Sequence, residues 1–292
     1  PAPVRQDISK NIRAMIAHKL GSVVVFGTDN VLIAYFVGAV SVGLYSNYLL
    51  ITEGLASAYS MIFRAMTASI GNLCAAEDTA HAQTVFWRVD LLTRWIYGFS
   101  AVCLVVLLNP FISLWLGADY LFPMPIVLLI VLSFYVTGMR QSVLTFREAM
   151  GLYWYDRYKP LFESAINLAV SILLAKPFGI VGIFIGTVVS TLSTCTWVEP
   201  YILFRHGFGA PVGKYFVHYA LNTLLTAFAG AATWCICALL PQTGFGSFII
   251  KVLLCCVIPN LFFLLVYGKT SEFRYFLTLG KSVLGKWMHK SA

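Results

Sequence analysis

What this chain can fold into is bounded first by eight long apolar runs, at about residues 20–39, 44–72, 95–116, 125–149, 161–176, 180–203, 217–240 and 247–268. A helix needs about 20 mainly apolar residues to cross the hydrocarbon core of a bilayer. The fifth run is the weakest, because Glu163, Asn167 and Lys176 interrupt it. The runs are continuous and do not alternate in segments of about ten, which argues against a strand barrel. Charged residues make up 11% of the chain and hydrophobic ones 59%, whereas an ordinary soluble domain carries about a quarter charged. A soluble core has no way to hide so much apolar surface, but a bilayer solvates it on every outer face. The expected fold is all-α: a polytopic membrane protein with about eight transmembrane helices.

Charge placement then orients the spans. Arg5, Lys10, Arg13 and Lys19 precede the first run, Arg88 and Arg94 the third, Arg157 and Lys159 the fifth, and Arg205 and Lys214 the seventh. Lys269, Arg274, Lys281, Lys286 and Lys290 follow the eighth, so fifteen of the twenty basic residues fall on one side. The opposite loops hold only Lys176 and Lys251. By the positive-inside rule both ends of the chain are expected in the cytoplasm. The net charge of +8 therefore needs no nucleic-acid partner. The basic tail 269–292 carries Phe273, Phe276, Leu277, Leu284 and Trp287 among its lysines, which suits either a helix on an anionic leaflet or a plain cytosolic tail.

The remaining sequence signals are mostly negative. Seven cysteines sit in apolar runs without ligand spacing and read as small hydrophobes, so neither metal nor cofactor is expected. Segment 71–94, read as a loop, carries Glu77, Asp78, His81 and Asp90 but no zinc-type spacing. Neither a G-x-S-x-G elbow nor a P-loop occurs, and the outer loops are short, so no enzyme is expected. The lead-in 1–19 is charged and amphipathic, unlike a secretory signal. Because it lacks an initiator Met, the chain is expected to begin inside a longer protein.

Polar residues inside the runs are the candidate functional groups, since ionisable side chains at membrane depth are costly. Asp29, beside Asn30, falls near the middle of the first run. It either pairs with a neighbouring helix or faces a watery cavity as a cation or proton site. In the second run Glu53, Ser57, Ser60, Arg64, Thr67 and Gly71 follow spacings of three and four and share one helix face. In the fourth, Thr137, Arg140, Gln141 and Arg147 are assigned to one face, while Glu148 projects about 100° from Arg147. The topology puts Arg64, Arg140 and Arg147 in the inner half of the membrane. There they suit an anionic phosphate or pyrophosphate entering from the cytoplasm. The competing reading has Glu148, Glu163 and Glu199 pairing with these arginines as struts.

Two stretches, "TDNVLIAYFVGAVSVGLYSNYLLI" and "GMRQSVLTFREAMGLYWYDRYKPLFESAINLAVSILLAKPFGIVGIFIGTVVS", closely resemble polysaccharide flippases of the Wzx type, in the multidrug/oligosaccharidyl-lipid/polysaccharide exporter superfamily. The resemblance implies two six-helix lobes around a cavity that alternates between membrane faces, followed by two further helices. Here 20–207 would be the second lobe and 208–268 the two extra helices, making the chain a fragment inactive alone. It implies flipping of undecaprenyl-pyrophosphate-linked oligosaccharide units across a bacterial cytoplasmic membrane for capsule, O-antigen or exopolysaccharide synthesis. The implied partners are that glycolipid, membrane lipids and polymerase machinery. Matching basic positions are Arg64 and Arg140, then Arg147; Asp29 would be a cavity-facing polar site for a coupling cation. A drug or cation exporter of the same superfamily and a non-catalytic assembly scaffold are the alternatives.

Overall fold

The computed structural model describes residues 16, 27–241 and 244–290, and among them all regular structure is helical, with no strand. The expected lead-in 1–19, apart from Ile16, and residues 20–26 of the first run lie outside the described residues. Helix α1 covers 27–36 and turns at Gly38 into α2, Ala39–Ala76. Then come α3 (Thr79–Trp115), α4 (Met124–Gly138), α5 (Gln141–Ala149), α6 (Lys159–Phe178), α7 (Ile180–Ser190), α8 (Thr196–Ile202), α9 (Gly213–Ala238), α10 (Phe245–Tyr267) and α11 (Ser271–Lys290).

Six segments among the described residues are long and apolar enough to cross a membrane: Thr79–Trp115, Met124–Ala149, Leu152–Phe178, Ile180–Phe208, Gly213–Ala238 and Phe245–Tyr267. The molecule is an all-α, multi-pass membrane protein. Six rather than eight qualify for two separate reasons. Only residues 27–39 of the first run are described, and of these the helix α1 covers 27–36. The second run belongs to α2, whose 38 residues span about 57 Å at 1.5 Å per residue but are diluted by serine, threonine, tyrosine and asparagine.

The expected loop at 71–94 is a correction. Helix α2 continues to Ala76, and α3 begins at Thr79. Asp78 caps α3, its carboxylate accepting the His81 backbone N–H at 2.8 Å, as short acidic residues do where a helix starts with unpaired N–H groups. Charged residues there signalled departure from the bilayer, not the end of the helix.

Helix α3 is the hub, in contact with α2, α4, α5, α9, α10 and α11. One end is fastened by Tyr48 of α2, fully buried: its hydroxyl donates to Asn109 Oδ1 at 2.6 Å and accepts from Phe122 N at 2.8 Å. The other end carries an aromatic cluster of Phe86, Phe146, Phe204, Phe208 and Tyr215, with ring centroids 5.4 to 6.2 Å from Phe86. Helices α6 and α7 pair at very short range across Gly182 and Gly186. A Cβ on Gly182 would lie 2.1 Å from the Leu174 carbonyl oxygen, and one on Gly186 2.1 Å from Ser171 Oγ. Small residues allow such approach where no hydrophobic force drives helices together in lipid.

After α7 the chain stays helical but twice widens into π turns, Thr191–Cys195 and Leu203–Phe208, on either side of α8. Each shifts the helix face, and the segment between them holds Glu199 at 0% exposure.

Candidate functional site

The polar residues picked out along the sequence separate into two places. One is a cavity of about 590 Å³ between α1, α2, α4 and α7, lined by Asp29, Asn30, Thr52, Glu53, Ser57, Ser60, Arg64, Thr137, Gln141 and Thr187, among others. Eight of the twelve residues singled out along the runs meet there. The wall on α2 follows from its spacing: Glu53, Ser57, Ser60 and Arg64 fall on one face, and Glu53 stands about 16 Å from Arg64 along the helix axis. Thr67 and Gly71 continue the stripe beyond the cavity; the Thr67 hydroxyl bonds back to Phe63 O, and Gly71 faces the Ala149 carbonyl of α5.

Arg64 is exposed and its guanidinium donates to Ser60 Oγ at 3.1 Å. Among the described residues it forms no ion pair. At the opposite wall Asp29 is only 5% exposed. The Thr187 hydroxyl donates to its Oδ2 at 2.8 Å and accepts from Asn167 Nδ2 at 3.0 Å. Ser171 donates to the Ile183 carbonyl at 3.2 Å one turn away. This chain joins α1, α6 and α7, yet Asp29 Oδ1 and Asn30 Oδ1 are buried without a hydrogen-bond partner. Both readings of Asp29 thus have a counterpart: it pairs with a neighbouring helix, and it lines a polar hollow with one oxygen to spare.

The second place is a buried ion cluster that takes Arg140 and Arg147. Thr137 and Gln141 line the cavity, whereas Arg140 and Arg147 reach Glu199 of α8. The expectation of a single shared face therefore fails, because residues three and four apart on a helix still differ by about 60° and 40° about its axis. Arg140 grips Glu199 with two parallel bonds, Nε to Oε2 at 2.9 Å and Nη2 to Oε1 at 2.7 Å. Lys159 Nζ donates to the same carboxylate at 2.6 Å and to Cys195 Sγ at 3.1 Å. Arg147, 3% exposed, pairs with Asp156 and lies 3.7 Å from Glu199. Glu163 completes the group 3.4 Å from Lys159. Neither Arg140 nor Arg147 lines the cavity. Glu199 was weighed as a strut from sequence; Asp156 and Lys159 were not, and only their three-dimensional proximity finds them.

A third polar feature was missed altogether. Asp90 accepts from Ser142 at 2.9 Å and pairs with Arg94 at 3.0 Å. Arg94 reaches the Tyr267 hydroxyl at 3.5 Å, which donates to Asn222 Oδ1 at 2.9 Å, and Asn222 Nδ2 donates to Tyr135 OH at 3.0 Å. This buried line ties α9 and α10 to α3, α4 and α5, helped by Trp95 Nε1 donating to Asn260 at 2.7 Å. The signal available in the sequence was a set of single polar residues in different runs, with nothing to pair them.

No group of three or more His, Cys, Asp or Glu able to hold a metal occurs among the described residues. Comparison with protein-family models, with curated proteins and with solved structures finds no match for this chain.

Proposed function

We propose that this chain forms one wall of a membrane transporter that moves an anionic lipid-linked saccharide, an undecaprenyl-pyrophosphate-linked oligosaccharide, across the bacterial cytoplasmic membrane. The observation that carries this reading is Arg64: a guanidinium presented to a polar cavity with a serine, not a carboxylate, as its partner. A fork of N–H donors with no carboxylate partner suits a diphosphate. Ser57, Ser60, Thr137, Gln141 and Glu53 supply the mixed donors and acceptors that sugar hydroxyls require. Arg64 and Glu53, about 16 Å apart along α2, would place diphosphate and sugar at opposite ends of one wall.

Asp29 enters as the coupling site. Its spare oxygen, with the Thr187 hydroxyl and the Asn167 amide alongside, would take a monovalent cation or a proton, offsetting a carboxylate that is expensive to keep charged at this depth. Arg140 and Arg147 then serve the fold rather than the ligand, since their guanidinium charges are already spoken for by Glu199 and Asp156.

One observation favours a second reading, export of cationic compounds: the lining carries Asp29 and Glu53 against a single arginine. In the transporter as its gene encodes it, Arg64→Ala should abolish surface polysaccharide while Arg64→Lys retains part of it. Undiminished polymer with altered resistance to cationic dyes would replace the saccharide reading with the exporter.

A further inference from the structure

Helix α11 takes no part in the cavity, yet its sequence is the most sharply two-sided of the chain. At 100° per residue Phe273, Phe276, Leu277, Leu284 and Trp287 fall within an arc of about 100°. Arg274 and Lys281 border one edge of that arc, and Lys290 and Lys286 lie beyond the other. Its only acidic residue is Glu272, in the first turn, where it complements the helix dipole.

The place of α11 in the fold is equally specific. The span α10 ends at Tyr267, and α11 starts at Ser271. Thr270 caps the new helix, its Oγ1 accepting from Phe273 N at 3.3 Å. The first turns lean on α3: Phe273 stacks parallel on Trp95 with centroids 5.5 Å apart, and the Arg88 guanidinium sits 3.9 Å over the Tyr275 ring. That part of α3 precedes its apolar run and belongs at headgroup depth, where Trp and Tyr concentrate. Beyond those contacts Leu277, on the arc, is 48% exposed. An apolar arc with cationic borders, starting three residues after a span, matches a layer that is hydrocarbon below and negatively charged above.

We infer that α11 is a surface for anionic phospholipid: it lies in the headgroup plane of the leaflet on its own side, its apolar arc seated at the acyl boundary and Arg274 and Lys281 on lipid phosphates. The inference rests on the membrane-spanning fold and is independent of what the cavity carries.

The test is hydrogen exchange of the 276–290 amides in the whole protein, held in nanodiscs of zwitterionic lipid alone or with an anionic phospholipid added. Exchange should slow by at least about tenfold in the anionic discs. The protection should be lost at high salt and in a variant carrying Lys281→Glu, Lys286→Glu and Lys290→Glu. The salt arm uses the unmodified protein and so holds if the variant fails to fold. Equal protection in both discs would overturn the proposal in favour of charge-independent seating. Rapid exchange in both would make α11 a solvated tail. Protection that appears only on adding a cytosolic extract would assign the surface to a protein. The discs contain no lipid-linked sugar, so failure here leaves the transport reading standing, and failure of the Arg64 test leaves this one.

Discussion

Glu199→Gln separates a structural ion cluster from a ligand site. The carboxylate is fully buried, receives bonds of 2.9 and 2.7 Å from Arg140 and 2.6 Å from Lys159, and lies 3.7 Å from Arg147. The amide keeps the shape but leaves three buried cations facing a group without charge. Removing one member of a buried ion pair costs about 3–5 kcal/mol. At roughly 2 °C per kcal/mol for a chain of this size, the apparent unfolding midpoint should fall by about 6–10 °C. Thermal unfolding of the purified protein in detergent, followed by tryptophan fluorescence, reads this directly. Glu163→Gln is the control: its only ion pair among the described residues is one 3.4 Å contact to Lys159, which keeps its 2.6 Å bond to Glu199, so the midpoint should fall by much less, about 2 °C. Shifts of about 2 °C in both variants would refute the reasoning. They would mean that Arg140 and Lys159 find water or other acids once Glu199 is neutral, and Arg140 would return as a candidate for the ligand.

Gly182→Ala should destabilise the α6–α7 pair by about 1–3 kcal/mol, because the new methyl would meet the Leu174 carbonyl at 2.1 Å; an unchanged midpoint would show that the helices separate freely. Tyr267→Phe removes the hydroxyl between Arg94 and Asn222, at a cost of about 1–3 kcal/mol for the groups left unpaired. Faster hydrogen exchange confined to α9 and α10 is the expected sign, and uniform exchange would contradict it. Thr187→Val deletes the donor to Asp29: if a cation shares that site, sodium should raise the midpoint of the unmodified protein by about 2.7 kcal/mol equivalent at a hundredfold excess over its dissociation constant, and not that of the variant. No sodium effect on the unmodified protein would remove the cation and leave a proton or nothing.

How much of this was legible in the sequence depends on whether the signal is periodic. The helical class follows from run length, and the α2 wall follows from spacings of three and four, because a straight helix converts spacing into direction. That conversion is too coarse at the α4–α5 junction, where Thr137 and Gln141 line the cavity while Arg140 goes to Glu199. It fails beside α8, where two π turns carry Glu199 inward. The continuation of α2 to Ala76 and the start of α3 at Thr79, where the charges of 71–94 suggest a loop, show that polar residues do not mark helix ends. Partners distant in sequence, such as Asp29 with Thr187 or Asn222 with Tyr267, have no local signature at all.

The contrast between Arg64 and Arg140 is the physical core of the transport reading. Arg140 lies in a segment long and apolar enough to cross a membrane and Arg64 in the less apolar α2; at membrane depth an arginine must be paired, hydrated or bound to ligand. Arg140 meets a carboxylate on α8 at 2.7 Å. Across the cavity from Arg64 the lining of α4 offers Ser133 and Thr137, followed by Gln141 on α5, all neutral. The pairing that fixes Arg140 is thus missing at Arg64, which is exposed and bonds only to Ser60 among the described residues, so its charge is open to water or to a ligand. Placing a carboxylate opposite it, by Gln141→Glu, should therefore act like a permanent occupant: a more stable protein in detergent and less transport of an anionic substrate. A stabilised variant that transported normally would show that Arg64 is not the group that holds the cargo.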